Sequence, residues 1–268
     1  MKPCLLIPIY DHGTTIRSVV LSVAPLGVPC LIVDDGSAAP TRAVLDALTE
    51  EMPWVHVHRL DANGGKGRAL KVGFRLAAER GFSHVVHLDA DGQHDGADAR
   101  RVLDAMERHS DALVLGLPVF DDTVPRSRLY ARQISRGAVW AASLSFAIHD
   151  PLCGFRGVPL LPMLRLLARE DTGDHMEFEP EVAVRLFWDR VPVMNVPTRI
   201  VYHEGGLSHF SLARDFPRLG WLYVRLLAGM LVRAPELLRR PPSLDGVVID
   251  DGPIAEERRP SPLAGTGG

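Results

Sequence analysis

The chain has 268 residues, 46% of them apolar and 24% charged, enough to bury a full core as one large domain or two small ones and too apolar for a disordered chain. Thirty basic residues against 33 acidic ones leave a formal charge of -3, so no global field attracts nucleic acid and an anionic ligand must be met locally. Only Cys4, Cys30 and Cys153 occur, without metal-ligand spacing, and the opening "MKPCLLIPIYDHG" is too short and too quickly polar for a signal peptide; the expectation is a reducing, cytoplasmic setting.

In chain order, apolar runs alternate with helical patterns: "CLLIPIY", a helix through "TTIRSVVLSVAPL", "CLIVDDGS", a helix through "TRAVLDALTEEM", "VHVHRLD", a helix through "GRALKVGFRLAAERG", then "HVVHLDADG". Short apolar runs separated by helices of ten or more residues predict an α/β fold with a doubly wound, mostly parallel sheet covered on both faces. Ligands of such sheets sit beyond the carboxyl ends of the strands. There the chain places Tyr10 and Asp11, Asp34 and Asp35, Asp61 and Asn63, and Asp89 and Asp91. A further strand is expected in "DALVLGLPV", then the polar loop "FDDTVPRSR" and a helix over about 129–146. "HDPLCGFRGV" is read as leading into a helix, and "GDHMEFEPEVAVRLFW" as leading into a strand "VPVMNVPTRIVYH". No internal repeat is visible.

The stretch "VVHLDADGQHD" carries the strongest chemical signal. Side chains at i and i+2 of a strand point the same way, so Asp89 and Asp91 can reach one hard divalent ion, Mg²⁺ or Mn²⁺, with Gln93 as a further oxygen ligand. Two carboxylates about 4 Å apart repel by roughly 4 kcal/mol at an effective dielectric near 20, which favours a cation between them. A plain strand followed by an Asp-Gly turn is the competing reading of these residues alone. Lys66 in "NGGKGRAL" can meet a phosphate, although the loop lacks the P-loop spacing. Asp35 can accept a hydrogen bond from the imide or amide N–H of uracil or guanine, and one of Asp34 and Asp35 can instead cap the helix that follows.

Taken together, "PIYDHG", "IVDDGS", "NGGKGRAL" and "HLDADGQH" resemble the family 2 glycosyltransferases with a GT-A fold, and "DPLCGFRG" with "GGLSHF" narrows the likeness to the dolichyl-phosphate mannose or glucose synthase type. The resemblance spans about residues 3–235. It implies a catalytic domain over 1–211, in which Pro8, Tyr10 and Asp35 line the base and ribose of a UDP- or GDP-sugar and Asp89, Asp91 and Gln93 hold the metal on its diphosphate. Asp11, Lys66, Ala90, Arg132 and His209 complete the expected donor contacts. Asp11 and His12 stand where the family often has Asn-Glu, and His209 where it tends to have Lys; Arg126, Arg128 and Arg132 are positioned to compensate. The implied reaction is inverting transfer of the sugar, with Asp150 first and Glu179 second as base or acceptor-positioning carboxylates and Asp91 beside the metal. A hydroxyl acceptor needs such a base, and an ionised phosphate does not. Glu177, Glu179 and Glu181 also suit the first turn of a helix, where the dipole favours them.

Residues 205–240 hold six arginines against Asp215 and Glu236, and "DFPRLGWLYVRLLAGMLVRAPELLRR" reads as one helix N-capped by Asp215. Arg225 interrupts its apolar run, so it does not span a bilayer. Arg218 and Arg225, seven apart with Trp221 and Tyr223 nearby, suit a helix lying among headgroups; packing on the catalytic domain is the alternative. The expectation is a basic amphipathic extension over 212–240 and a tail without fixed structure over 241–268. The expected partners are a nucleotide-sugar and a lipid or lipid-linked acceptor, with the enzyme peripheral on the inner face of the cell membrane. A nucleotide-sugar binding protein without transfer activity is the competing class. A haloacid-dehalogenase phosphatase fits less well, because its paired aspartates follow the first strand and these follow the fourth.

Overall fold

The computed structural model describes residues 1–94, 96–120, 126–200, 212–240 and 245–249, and for 126–128 and 212–213 the backbone alone. The first half alternates as the sequence predicts: β1 (Pro3–Ile9), α1 (Ile16–Val23), β2 (Cys30–Asp34), α2 (Ala39–Glu51), β3 (Val55–Arg59), α3 (Lys66–Glu79), β4 (His84–His87), α4 (Gly96–Arg108) and β5 (Leu113–Val119). Then come α5 (Arg126–Ser143), β6 (Arg156–Pro159), α6 (Leu160–Arg169), α7 (Phe178–Trp188), β7 (Val193–Arg199), α8 (Leu212–Leu237) and β8 (Val247–Val248).

The strands form one mixed sheet in the order β3-β2-β1-β4-β6-β5-β7-β8, in which only β6 runs against its neighbours among the described pairings. Alternation along β1 divides the core: Cys4 and Leu6 join the apolar layer beneath α3, α6, α7 and α8, while Leu5, Ile7 and Ile9 join the layer beneath α1, α2 and α4. Both faces of the sheet are covered along its centre, which is why β1, β2 and β4 are nearly continuous apolar runs.

Four expectations need correction. "HDPLCGFRGV" does lead into a helix, α6, but the strand before it was not expected: Arg156–Pro159 is the antiparallel strand β6 wedged between β4 and β5, with Val86 opposite Gly157 and Leu115 opposite Arg156. Four residues containing a buried Arg and a Gly give no period-two signal. The tail contributes Val247–Val248 as an edge strand on β7. The last helix begins at Leu212, so Asp215 lies in its first turn and does not cap it.

The fourth correction concerns the faces of α8. It packs on α5 and α7 through Leu219, Leu222, Leu226 and Leu237. Arg225 takes the alternative reading, packing on the domain: its Nη2 lies 3.2 Å from Glu181 Oε1 and donates to Asp171 O at 3.4 Å. The exposed side of α8 carries Trp221, Val224, Leu231 and Val232 beside Arg214, Arg218 and Arg225, and α5 likewise exposes Tyr130 and Ile134.

Candidate active site

At the carboxyl ends of β1, β2 and β4 the chain opens a cleft of about 420 Å³. Pro8 and Tyr10 line it from β1, Asp35 from β2, and Asp89, Ala90, Asp91 and Gln93 from the turn after β4. Lys66 lines it from the start of α3. Eight residues expected from the sequence are thus brought together.

The two aspartates after β2 divide their tasks. Asp34 Oδ1 accepts the Ser37 N–H at 2.9 Å and organises the turn into α2. Asp35 accepts the N–H groups of Gly64 and Gly65, at 2.9 and 2.8 Å, and so holds the loop before α3 against the cleft. Gly65 adopts φ +102°, and a side chain there would strike His175 and the Asp174 carbonyl. Burial pushes the Asp35 carboxyl upward against the pull of those two N–H groups. Asp11 is turned to another use: its carboxylate accepts the Ala38 N–H at 2.8 Å, and it is not among the residues lining the cleft.

The turn after β4 meets a second layer of charge. Lys66 Nζ is 2.6 Å from Asp89 Oδ1 and 2.9 Å from Glu179 Oε2. His87 lies between the two carboxylates, 3.6 Å from Asp89 and 3.7 Å from Glu179. Burial alone would strip the Lys66 proton, but the carboxylates hold the ammonium charged. Burial would likewise lift the Asp89 carboxyl, yet the Lys66 ammonium beside it keeps it well below the usual carboxylate range. Burial makes His87 and His94 neutral, the latter with a pKa of about 4. Gly154 backs directly onto the Asp89 carboxylate, and a Cβ there would overlap it; the first glycine of "CGFRG" is a shelf for that carboxylate.

Asp91 Oδ1 accepts the Gln93 N–H at 3.0 Å and turns the motif back on itself. Among the described residues, no group of three His, Cys, Asp or Glu is placed to hold a metal ion. Two carboxylates and an amide at a cleft suit an ion of the Mg²⁺ or Mn²⁺ kind, which completes its shell with substrate phosphates and water. The donor set at Asp89, Asp91 and Gln93 therefore fits.

The carboxylates expected to act as bases are both engaged. Asp150 is buried; its Oδ2 takes Arg132 Nη1 at 2.5 Å and its Oδ1 takes the Leu152 N–H at 2.8 Å. Arg132 is also stacked on Phe120, 5.2 Å from the ring centre. Glu179, in the first turn of α7, is occupied by Lys66. Neither Asp150, Arg132 nor Glu179 lines the cleft itself. His209 lies outside the described residues, and the side chains of Arg126 and Arg128 do too.

Sequence reasoning missed one wall of the cleft. His175 and Met176 reach it because the Arg68 N–H donates to Asp174 O at 2.9 Å, tying that segment to α3. Arg214, Asp215 and Arg218 reach it from the first turns of α8. Arg214 and Arg218 are four apart and so share a helix face. That spacing, beside an acidic cleft, was the available signal.

The profile of the family described as Glycosyl transferase family 2 matches residues 4–159. The chain is 30% identical over 218 residues to the polyprenol monophosphomannose synthase of Mycolicibacterium smegmatis, covering 78% of this chain and 81% of that one. It is 31% identical over 225 residues to the undecaprenyl-phosphate mannosyltransferase of Micrococcus luteus, covering 79% and 88%. In three dimensions it resembles the mannosyltransferase of Pyrobaculum calidifontis solved with GDP-Man and Mn²⁺, at a TM-score of 0.54 and 14% identity over 88% of this chain and 75% of that one.

Proposed function

Because the chain belongs to glycosyl transferase family 2 and is a glycosyltransferase, we propose that it moves mannose from GDP-mannose to a polyprenyl phosphate. The new bond joins a phosphate oxygen to the anomeric carbon while the bond from that carbon to the donor diphosphate breaks, and attack from the opposite face inverts the centre. The names of the two relatives support the mannosyl group and the lipid phosphate, and the bound GDP-Man of the structural neighbour supports the nucleotide.

The observation that carries the acceptor class is the state of the two candidate bases. Neither Asp150 nor Glu179 lines the cleft, and each carboxylate already carries a cation, Arg132 on Asp150 and Lys66 on Glu179, so neither is placed to take a proton from a hydroxyl there. A phosphate monoester is already ionised near neutral pH and needs no base. Asp150 then serves to position Arg132, whose guanidinium meets the acceptor phosphate. Asp35 and Gly65 shape the base and ribose end of the cleft, and Lys66, Arg214 and Arg218 surround the diphosphate with positive charge. A divalent ion held by Asp89, Asp91 and Gln93 supplies further positive charge against the leaving nucleoside diphosphate. Contact with the bilayer surface falls to the exposed apolar side chains of α5 and α8; among the described residues no helix is long and apolar enough to cross a membrane.

The test is transfer of labelled mannose from GDP-mannose, beside a panel of UDP-sugars, to polyprenyl phosphate and to the corresponding free polyprenol, with Mn²⁺ or with EDTA. Product should form on the phosphate only, and only with metal. Equal transfer to the free alcohol would sink the acceptor reading, and undiminished transfer in EDTA the metal reading.

A further inference from the structure

In a cleft built to receive a cation, one is already present. Lys66 Nζ lies 2.6 Å from Asp89 Oδ1, the oxygen of the metal-motif aspartate nearest it, and 2.9 Å from Glu179 Oε2. The position is fixed from both ends. Lys66 opens α3, and the backbone just before it is clamped by the Asp35 carboxylate. Glu179 sits in the first turn of α7, and the carbonyl of the same residue accepts Arg156 Nη1 at 2.7 Å. The Lys66 side chain is 17% exposed and the Glu179 side chain 6%, so the pair is shielded from solvent, yet Lys66 also lines the cleft where the donor diphosphate would lie.

A divalent ion at Asp89 would stand within a few ångströms of this ammonium and repel it. Removing Lys66 altogether would leave Asp89 and Glu179 facing each other across His87. The ammonium therefore has two ordinary partners, Asp89 and Glu179, and a third that arrives with the donor.

We infer that Lys66 is a tethered competitor for the divalent ion: it occupies Asp89 in the empty cleft and passes to Glu179 and the donor diphosphate when ion and nucleotide enter together. The inference rests on the reading that the ion binds at Asp89 and Asp91. Glu179, on this account, is a positioning residue that gives Lys66 a place to go. Free metal is bound weakly, and metal and nucleotide assist each other's binding by more than their direct contact provides, a coupling that is the same read from either ligand.

The experiment is titration of Mn²⁺ alone, followed by the electron paramagnetic resonance of the free ion, on wild type, Lys66→Gln, Glu179→Gln, the double variant and Asp91→Ala, each checked for folding by circular dichroism. Lys66→Gln should bind Mn²⁺ at least tenfold more tightly than wild type. Glu179→Gln should bind it more weakly, because Lys66 is then left to Asp89 alone. In the Lys66→Gln background, Glu179→Gln should change nothing beyond twofold, and GDP should raise Mn²⁺ affinity by a smaller factor than it does in wild type.

Lys66→Met replaces Lys66→Gln should that variant fail to fold, and Lys66→Arg, which keeps the charge, should stay as weak as wild type. Mn²⁺ affinity in both uncharged variants at or below wild type overturns the inference. So does an equal effect of Glu179→Gln with and without Lys66, which would make Glu179 a ligand of the ion. Where Asp91→Ala abolishes Mn²⁺ binding and loss of the Lys66 charge still brings no gain, the competitor role alone falls. Where Asp91→Ala binds like wild type, the metal site itself is refuted and the competitor with it.

Discussion

Arg156 is the side chain that ties the turn after α5 to the start of α7, and its replacement should be costly. It is 2% exposed, and its three nitrogens donate to the carbonyls of Cys153 at 2.8 Å, Glu179 at 2.7 Å and Pro151 at 2.6 Å. One guanidinium thus binds the 150–154 turn to the start of α7. In Arg156→Ala all three carbonyls lose their donor, at about 1–3 kcal/mol each for a buried unsatisfied group. Water entering the vacated volume recovers part of that, and about 3–5 kcal/mol is the expected loss. Against a typical total of about 5–15 kcal/mol, this is a large share. Arg156→Lys should recover less than half, because one ammonium cannot span three carbonyls set for a planar fork. Urea denaturation followed by circular dichroism measures both. A loss under about 1 kcal/mol for Arg156→Ala, or full recovery with Lys, would refute the idea that this hub fixes the turn.

Three further outcomes are expected. Gly154→Ala places a methyl group against the Asp89 carboxylate; overpacking should cost about 1–3 kcal/mol of stability and more than tenfold in metal-dependent GDP affinity, measured by calorimetry, and an unchanged affinity would deny Gly154 its role as a shelf. The three thiols are buried, those of Cys4 and Cys153 with pKa values pushed up by burial to about 12; a thiol reagent at pH 8 should label none in the native protein and all three in urea, and fast labelling of any one in the native state contradicts its burial. Trp221→Glu with Val224→Glu should abolish co-sedimentation with lipid vesicles and leave thermal stability nearly unchanged, whereas Arg225→Glu should lower stability by setting a second carboxylate against Glu181; loss of vesicle binding from the arginine alone would return docking to the basic face.

What the sequence made legible and what it hid differ by the range of the interaction. Strands β1, β2 and β4 are buried on both faces, so each is an apolar run, and each ends in the polar residues that the cleft collects. Asp89 and Asp91 were readable as an acidic pair at a strand end, although both lie past His87 in the turn rather than on extended chain. Strand β6 was not, because it buries Arg156 and Gly157 where an apolar pattern would be sought. The partners were hidden as well: Lys66 and Glu179 are 113 residues apart, and Arg225 and Glu181 are 44 apart. Nothing in the local pattern of α8 distinguishes an arginine bound for a buried glutamate from one bound for a phosphate headgroup. Oxygens gathered at strand ends can be found by spacing, but the cations that neutralise them come from helices distant in the chain. The charge of such a site is set by the part of the fold that periodicity does not record.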